Sequence, residues 1–158
     1  MIIRLAKKDD LEEYSKLRNK NFKEYYRKNK KNIILNHNNL AKKIKKEFYN
    51  LIKAPRRYLL LVSEGKILQG FLIGSEIKNV FQSSGYIDDI YVGVNYRRKG
   101  IASNLIKEFF SLMKIKKIKK FRLGVDIKNK EAINLYLKAG FKITQYEMEK
   151  IIKLLTQH

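Results

Sequence analysis

The chain has 158 residues, 44% of them hydrophobic, which is enough to bury the core of one ordinary domain over residues 1–158. It contains no cysteine, which excludes disulfides, thiolate metal sites and a cysteine nucleophile; its imidazoles, His37 and His158, belong to no ligand constellation, so no metal site is expected. The formal net charge of +21 is compatible with anionic partners, but no apolar run reaches membrane-spanning length and MIIRLAKKDD turns acidic too soon for a secretory signal, so a cytoplasmic protein without membrane association is expected.

Residues 2–6 (IIRLA) predict a short strand, and KKDDLEEYSKLR behind it predicts a helix start, with Asp9 or Asp10 as cap and carboxylates in the first turn. Residues 19–39 are polar and lysine-rich, with turn residues at NHNN. Leu40, Ile44, Phe48, Leu51 and Ile52 then recur at helical spacing, and Pro55 ends that second helix by pushing Ala54 out of the helical region. The period changes next: YLLLVSEGKILQGFLIGSEI is two β-rich runs joined by Glu64-Gly65-Lys66, and GYIDDIYVGV is a third after the turn QSSG. Ile101, Leu105, Ile106, Phe109, Phe110 and Met113 mark one face of a helix over 100–116. Residues 121–127 (FRLGVDI) predict a strand, 129–140 a shorter helix with an Asn129 start and a Gly140 stop, and FKITQYEMEKIIKL a closing strand. The expected order is β-α-α-β-β-β-α-β-α-β, an α/β (α+β) class without internal repeats.

The stretch YRRKGIA lies where the third run of the strand series gives way to a helix. The first turn of a helix leaves backbone N–H groups without partners, and the helix dipole adds partial positive charge there. Arg97, Arg98 and Lys99 bring further donors, and Gly100 and Ala102 remove bulk that would keep a ligand from the backbone, so a diphosphate fits the place. Neither GxxxxGK[ST] nor GxGxxG is present, which sets aside the P-loop and dinucleotide patterns. Taken alone, Gly100 could equally begin a helix on a lysine-rich surface.

VGVNYRRKGIASNLI resembles the acetyl-CoA signature of the GNAT superfamily of N-acetyltransferases, [QR]xxGx[GA] after a strand, which the residues from Arg97 to Ala102 satisfy at its fixed positions. Downstream, NKEAINLYLKAGF resembles the second family signature through Asn129, Ala132, Tyr136, Gly140 and Phe141. The resemblance covers nearly the whole chain and implies a GNAT fold, a central mixed, mostly antiparallel sheet flanked by helices, with acetyl-CoA as the acetyl donor. By that resemblance, N–H groups from Arg97 or Arg98 through Lys99, Gly100, Ile101, Ala102 and Ser103 would hold the pyrophosphate. The strand end Ile90, Tyr91 and Val92 would pair with the pantetheine arm and polarise the acetyl carbonyl. Asn129 would bond the cofactor, and Tyr136 would be the general acid for the leaving thiolate. Val94 stands where many relatives have proline. After Phe141 the usual two-strand hairpin is compressed, so the last strand is expected to be short, absent or supplied by a partner chain, and a homodimer is one expectation.

Without cysteine, direct attack by an acceptor amine in a ternary complex is the simplest route. Asp88 and Asp89 are the candidate bases. Strand alternation puts them on opposite faces, and Asp88 is favoured because YIDDIYV resembles the corresponding strand of polyamine-type acetyltransferases. Both acids could instead bond local cations, a water could relay the proton, and Tyr136 could be a core tyrosine. The expected acceptor is a small-molecule or peptide amine; a polyamine, a protein N-terminus, a lysine and an aminoglycoside all stay open. Lysines spread through KNKKN, AKKIKK and KIKKIKK instead of forming one stripe, so nucleic acid is not the favoured partner. A basic RNA- or ribosome-associated module, or a CoA-binding domain without transfer activity, stand as alternatives.

Overall fold

The computed structural model describes residues 1–28 and 37–150. β1 (Ile2–Leu5), β2 (Arg57–Glu64), β3 (Ile67–Ile77) and β4 (Ser84–Val92) are successive antiparallel neighbours, and β5 (Lys120–Leu123) joins β4 in parallel. Among the described residues this makes one sheet whose spatial order is the sequence order. The β2–β3 hairpin turns at Gly65, whose φ of +59° is a left-handed conformation that glycine adopts without strain.

α1 (Leu11–Lys28) and α2 (His37–Lys53) cover one face of the sheet, where Tyr14, Leu17, Ile44 and Phe48 pack on Leu59, Leu61, Phe71 and Ile73. α3 (Ile101–Ile115) and α4 (Lys130–Lys138) cover the other, where Leu105, Phe109, Met113 and Tyr136 pack on Leu60, Val62, Leu72 and Ile87. The even and odd residues of β2 therefore serve two separate cores, which is why its sequence reads as a continuous apolar run. Gly74 sets the depth of α3: a Cβ there would lie 2.5 Å from the Phe109 ring, so the missing side chain lets the helix settle onto the sheet.

Several sequence expectations change. The strand expected over 121–127 ends at Leu123, where the chain leaves β4. α1 continues to Lys28, well into the polar stretch, because Phe22 still packs against the α1–α2 core. α2 begins at His37, so that NHNN gives a helix start where a turn was expected; its Asn36 lies outside the described residues. The closing strand is not formed: residues 142–150 are exposed and carry no regular structure, and positions 151–154 of the expected run lie outside the described residues. Ile143, Tyr146 and Met148 have β-compatible patterning but meet no strand edge, and a strand without a neighbour has nothing to receive its backbone bonds.

Candidate functional site

β4 carries the site because it outlasts its partner. The β4–β5 ladder ends at Ile87↔Leu123, and the chain turns away at Gly124, while β4 runs on to Val92. Asp89 to Val92 thus keep β3 on one side and, among the described residues, present an unpaired backbone edge on the other, opening a V between β4 and β5. Ile90, Tyr91 and Val92 lie on that edge; Ile90 and Val92 lean on the α3 core, whereas the Tyr91 ring is buried in the α1–α2 core.

A bulge sits at the mouth of the V. The β3–β4 register steps from Ile73↔Asp89 to Gly74↔Ile87, leaving Asp88 without an opposite residue. This overrides the alternation expected from sequence. Ile87 packs with α3, yet Asp89, two residues later, points to α1 and accepts a hydrogen bond from Arg18 Nη1. Asp88 approaches Arg57 Nη2 at 3.9 Å, and Arg57 stands two residues before Leu59 on the α1–α2 side of β2. Both acids therefore reach cations of one layer and do not divide between two faces.

Beyond β4, the 3₁₀ turn Val94–Tyr96 leads into the Arg97–Gly100 segment and α3. Arg98 and Gly100 both have left-handed backbone, φ +63° and +74°, and a Cβ added at Gly100 would meet nothing within 4 Å. The first helical bond runs from the Asn104 N–H to the Gly100 carbonyl, so the N–H groups of Ile101, Ala102 and Ser103 have no intrahelical acceptor. The result is a concave row of donors at the positive end of a fifteen-residue helix, open above its glycine. Lys99 and Arg98 stay at the surface; Arg98 touches Glu131 in the first turn of α4 at 3.5 Å, with both side chains largely in water. Arg97 turns the other way: its Nη2 donates to both oxygens of Glu24 at 2.7 and 2.8 Å, and its Nε donates to the Val92 carbonyl at 3.0 Å. Its side chain straps the loop to α1.

The α1 side of β4 holds charge. Arg18, 8% exposed, donates to Glu47 at 2.8 and 3.2 Å, to Asn21 Oδ1 at 2.9 Å and to Asp89, with its guanidinium over the rings of Phe22 and Phe71. Neighbouring Tyr14 is fully buried, and burial raises its hydroxyl well above the ordinary tyrosine value. Arg18, Glu24, Glu47 and Arg57 were not singled out in sequence. Arg18 did leave a signal, a cation on the apolar stripe of Tyr14, Leu17 and Phe22, where an unbonded charge could not be tolerated.

Tyr136 projects from α4 into the α3 core, edge-on to Phe141 with ring centroids 5.8 Å apart. Its hydroxyl has no hydrogen-bond partner among the described residues. Burial, reinforced by the negative charge of Asp89, pushes it up to about 12, so it is a neutral proton donor at physiological pH. Asn129 caps α4, its Oδ1 accepting from the Ala132 N–H at 3.2 Å, which leaves the amide NH₂ to offer outward.

The model of the acetyltransferase (GNAT) family matches residues 10–141. A thialysine N-epsilon-acetyltransferase of Mus musculus is 35% identical over 75 residues, 47% of this chain and 44% of that protein. The match thus spans less than half the length of this curated relative. Among solved structures, a mutant of the BH1408 protein of Bacillus halodurans superposes with a TM-score of 0.83 at 20% identity, covering 97% of this chain and 100% of that one. An aminoglycoside N-acetyltransferase AAC(6')-Iy in complex with CoA gives a TM-score of 0.72 at 15% identity, over 97% and 100%. At these identities the solved structures establish the fold.

Proposed function

Because the chain belongs to the acetyltransferase (GNAT) family, we propose that it transfers the acetyl group of acetyl-CoA to a primary amine. One observation carries the reading: the unpaired β4 edge at 88–92 leads directly to the open donor row at the start of α3, so an extended arm ending in a diphosphate fits both at once. Acetyl-CoA supplies the acetyl group already activated as a thioester. The N–H groups from Arg98 to Ser103 would hold its pyrophosphate, with Lys99 adding charge and Arg97 fixing the loop. The backbone of Ile90, Tyr91 and Val92 would line the arm and polarise the acetyl carbonyl, and the Asn129 amide would add a polar contact. Tyr136, neutral and shielded, would give its proton to the departing sulfur. With no cysteine to carry the acetyl group, the amine would attack directly.

The names of the relatives support an amine acceptor, one acting on thialysine and others on aminoglycosides. A cytoplasmic place is in keeping with the cysteine-free sequence, and no helix among the described residues is long and apolar enough to cross a membrane. The exposed Ile143, Tyr146 and Met148 support a homodimer.

The test is calorimetric titration with acetyl-CoA at about 0.15 M salt, using ADP as the control for general attraction of anions to a basic surface. One-site binding that ADP does not match, weakened about tenfold or more in Gly100→Val, is the expected result, because a β-branched residue is strained at that φ. Equal binding of ADP would remove the reading. The basic-module alternative draws on one observation, a groove of about 500 Å³ between α1 and the 93–96 turn, walled by Lys16, Lys20, Lys23 and Arg27 and facing Asn95 and Tyr96. Tight binding of RNA that falls steeply with salt, without acetyl transfer, would favour it.

A further inference from the structure

The end of the sheet opposite the donor row carries a feature that neither core accounts for. Between β3 and β4, Asn79 Oδ1 accepts a hydrogen bond of 2.8 Å from the Gln82 N–H and closes a tight turn. Its two corner residues are Val80 and Phe81, 95% and 97% exposed. Turn corners favour Gly, Pro, Asn, Asp and Ser, which suit them through backbone freedom or local hydrogen bonds. An aliphatic and an aromatic side chain held there in full solvent gain nothing from the fold.

Cations form the rim of this tip. The register brings the end of β3 and the starts of β4 and β5 together through Ile77↔Ser84 and Ser84↔Lys120. The last turn of α3 joins them, because Lys116 Nζ reaches Glu76 Oε2 at 3.5 Å. Lys78, Lys114, Lys116, Lys117, Lys119 and Lys120 are exposed there, with Ile77 and Ile115 among them. Segments 76–84 and 114–120 contain no acid besides Glu76, whose side chain is 7% exposed and already takes Lys78 and Lys116. The dipole of α3 accounts for lysines in its last turn, but not for Lys119 and Lys120 beyond it or for the bare phenylalanine.

A second copy, itself at +21, would bring like charge to like. A nucleic acid would match the lysines and leave the apolar pair wet. An acidic protein would need a pocket shaped to a convex two-residue tip, whereas a bilayer accepts one without a pocket. An anionic bilayer matches both parts: headgroups take the lysines, and the apolar pair enters the boundary of the acyl chains. We infer that this end of the molecule is a docking surface for an anionic phospholipid membrane, with Val80 and Phe81 as the inserted tip. The expectation of no membrane association concerns a spanning run, which a surface contact does not need. The donor row lies at the other end of α3, about 22 Å away for a fifteen-residue helix, so docking leaves it in water.

The chain has no tryptophan, which supplies the test. Phe81→Trp puts a sole indole at the tip, and Ile67→Trp puts one, as control, roughly 30 Å away at the other end of β3. Each is mixed with phosphatidylcholine vesicles, with and without about one-third phosphatidylserine, at about 0.15 M salt. With the anionic vesicles, Phe81→Trp emission should move to the blue and be quenched by lipids brominated in the acyl chain, while Ile67→Trp emission stays unmoved. In co-sedimentation, Val80→Ser combined with Phe81→Ser should lower partition about tenfold or more at unchanged charge, and Lys114→Gln combined with Lys119→Gln about tenfold. These side chains stand in solvent, so thermal melts and acetyl-CoA titration of both variants should match the wild type. Partition that ignores the serine pair, or a blue shift at Ile67→Trp in place of Phe81→Trp, would mean general adsorption of a basic chain and overturns the inference. A dimer or an RNA complex that depends on Phe81, without vesicle binding, gives the tip to that partner and overturns it as well.

Discussion

The two sides of β4 are made of different materials. Toward α3 and α4 the packing is apolar, and the polar features at its margin are main-chain N–H groups, one capping amide and one shielded phenol. Toward α1 the same strand meets a buried guanidinium and the carboxylates that bond it, and a second arginine strapped to Glu24. The difference teaches that the two sides are specified differently: the α3 side is shaped by backbone geometry around a glycine and a small residue, and the α1 side is written in individual charges.

The largest effect that would sharpen this contrast is in the apolar layer. Phe109→Ala removes a fully buried ring beneath Gly74 and is expected to cost about 3–5 kcal/mol in urea unfolding, while the ion cluster across the sheet is untouched. A loss well below that range would mean that the α3 side collapses easily and is not the rigid wall described here. Next is Tyr136→Phe, which should lower kcat by about a hundredfold or more and leave acetyl-CoA affinity unchanged. Since burial and Asp89 push the hydroxyl up to about 12, no alkaline fall in rate should trace to Tyr136 in the ordinary assay range.

The smallest effect concerns a charge pair at the entrance to α1. Arg4 donates two bonds of 2.7 Å to Asp10, and these outweigh desolvation to hold the carboxyl below its ordinary value of 3.8. A folded-state value below the unfolded one means that the stabilisation is present above the unfolded value and lost as pH falls through the folded one. With Arg4 partly in solvent, Asp10→Asn should cost no more than about 1 kcal/mol at neutral pH. The gap between variant and wild type should close in melts taken well into acid. A gap that widened in acid would reverse the sign.

The contrast between the sides of β4 also explains what the sequence could reveal. The stripe from Ile101 to Met113, the glycine at the start of α3 and the Asn129 cap are local patterns whose physics is complete within a few residues, and each was legible. The bulge at Asp88 was not, because it depends on how Ile73 and Gly74 lie opposite, and alternation within YIDD carries no trace of the neighbouring strand. Glu24 and Arg97 are 73 residues apart in a chain that is 32% charged, so nothing marks them as partners. The segment KITQYEM has a strand's composition, but a strand is a relation between two segments, and the described chain supplies no second one. The family signatures, at the starts of α3 and α4, were legible for the same reason: they are short.

The sheet ends at β5, whose outer edge has no strand beside it among the described residues. That edge is four residues long, and its Lys120 and Arg122 both stand in solvent. Short length and like charges keep a second copy from zipping onto an open edge. The protection is ionic, so it weakens as the Debye length shrinks to about 3 Å in molar salt. The protein's colloidal behaviour should therefore run opposite to that of a neutral globule, dispersed in dilute buffer and prone to edge-on stacking in brine. A preparation kept at low ionic strength would be the one that stays clear.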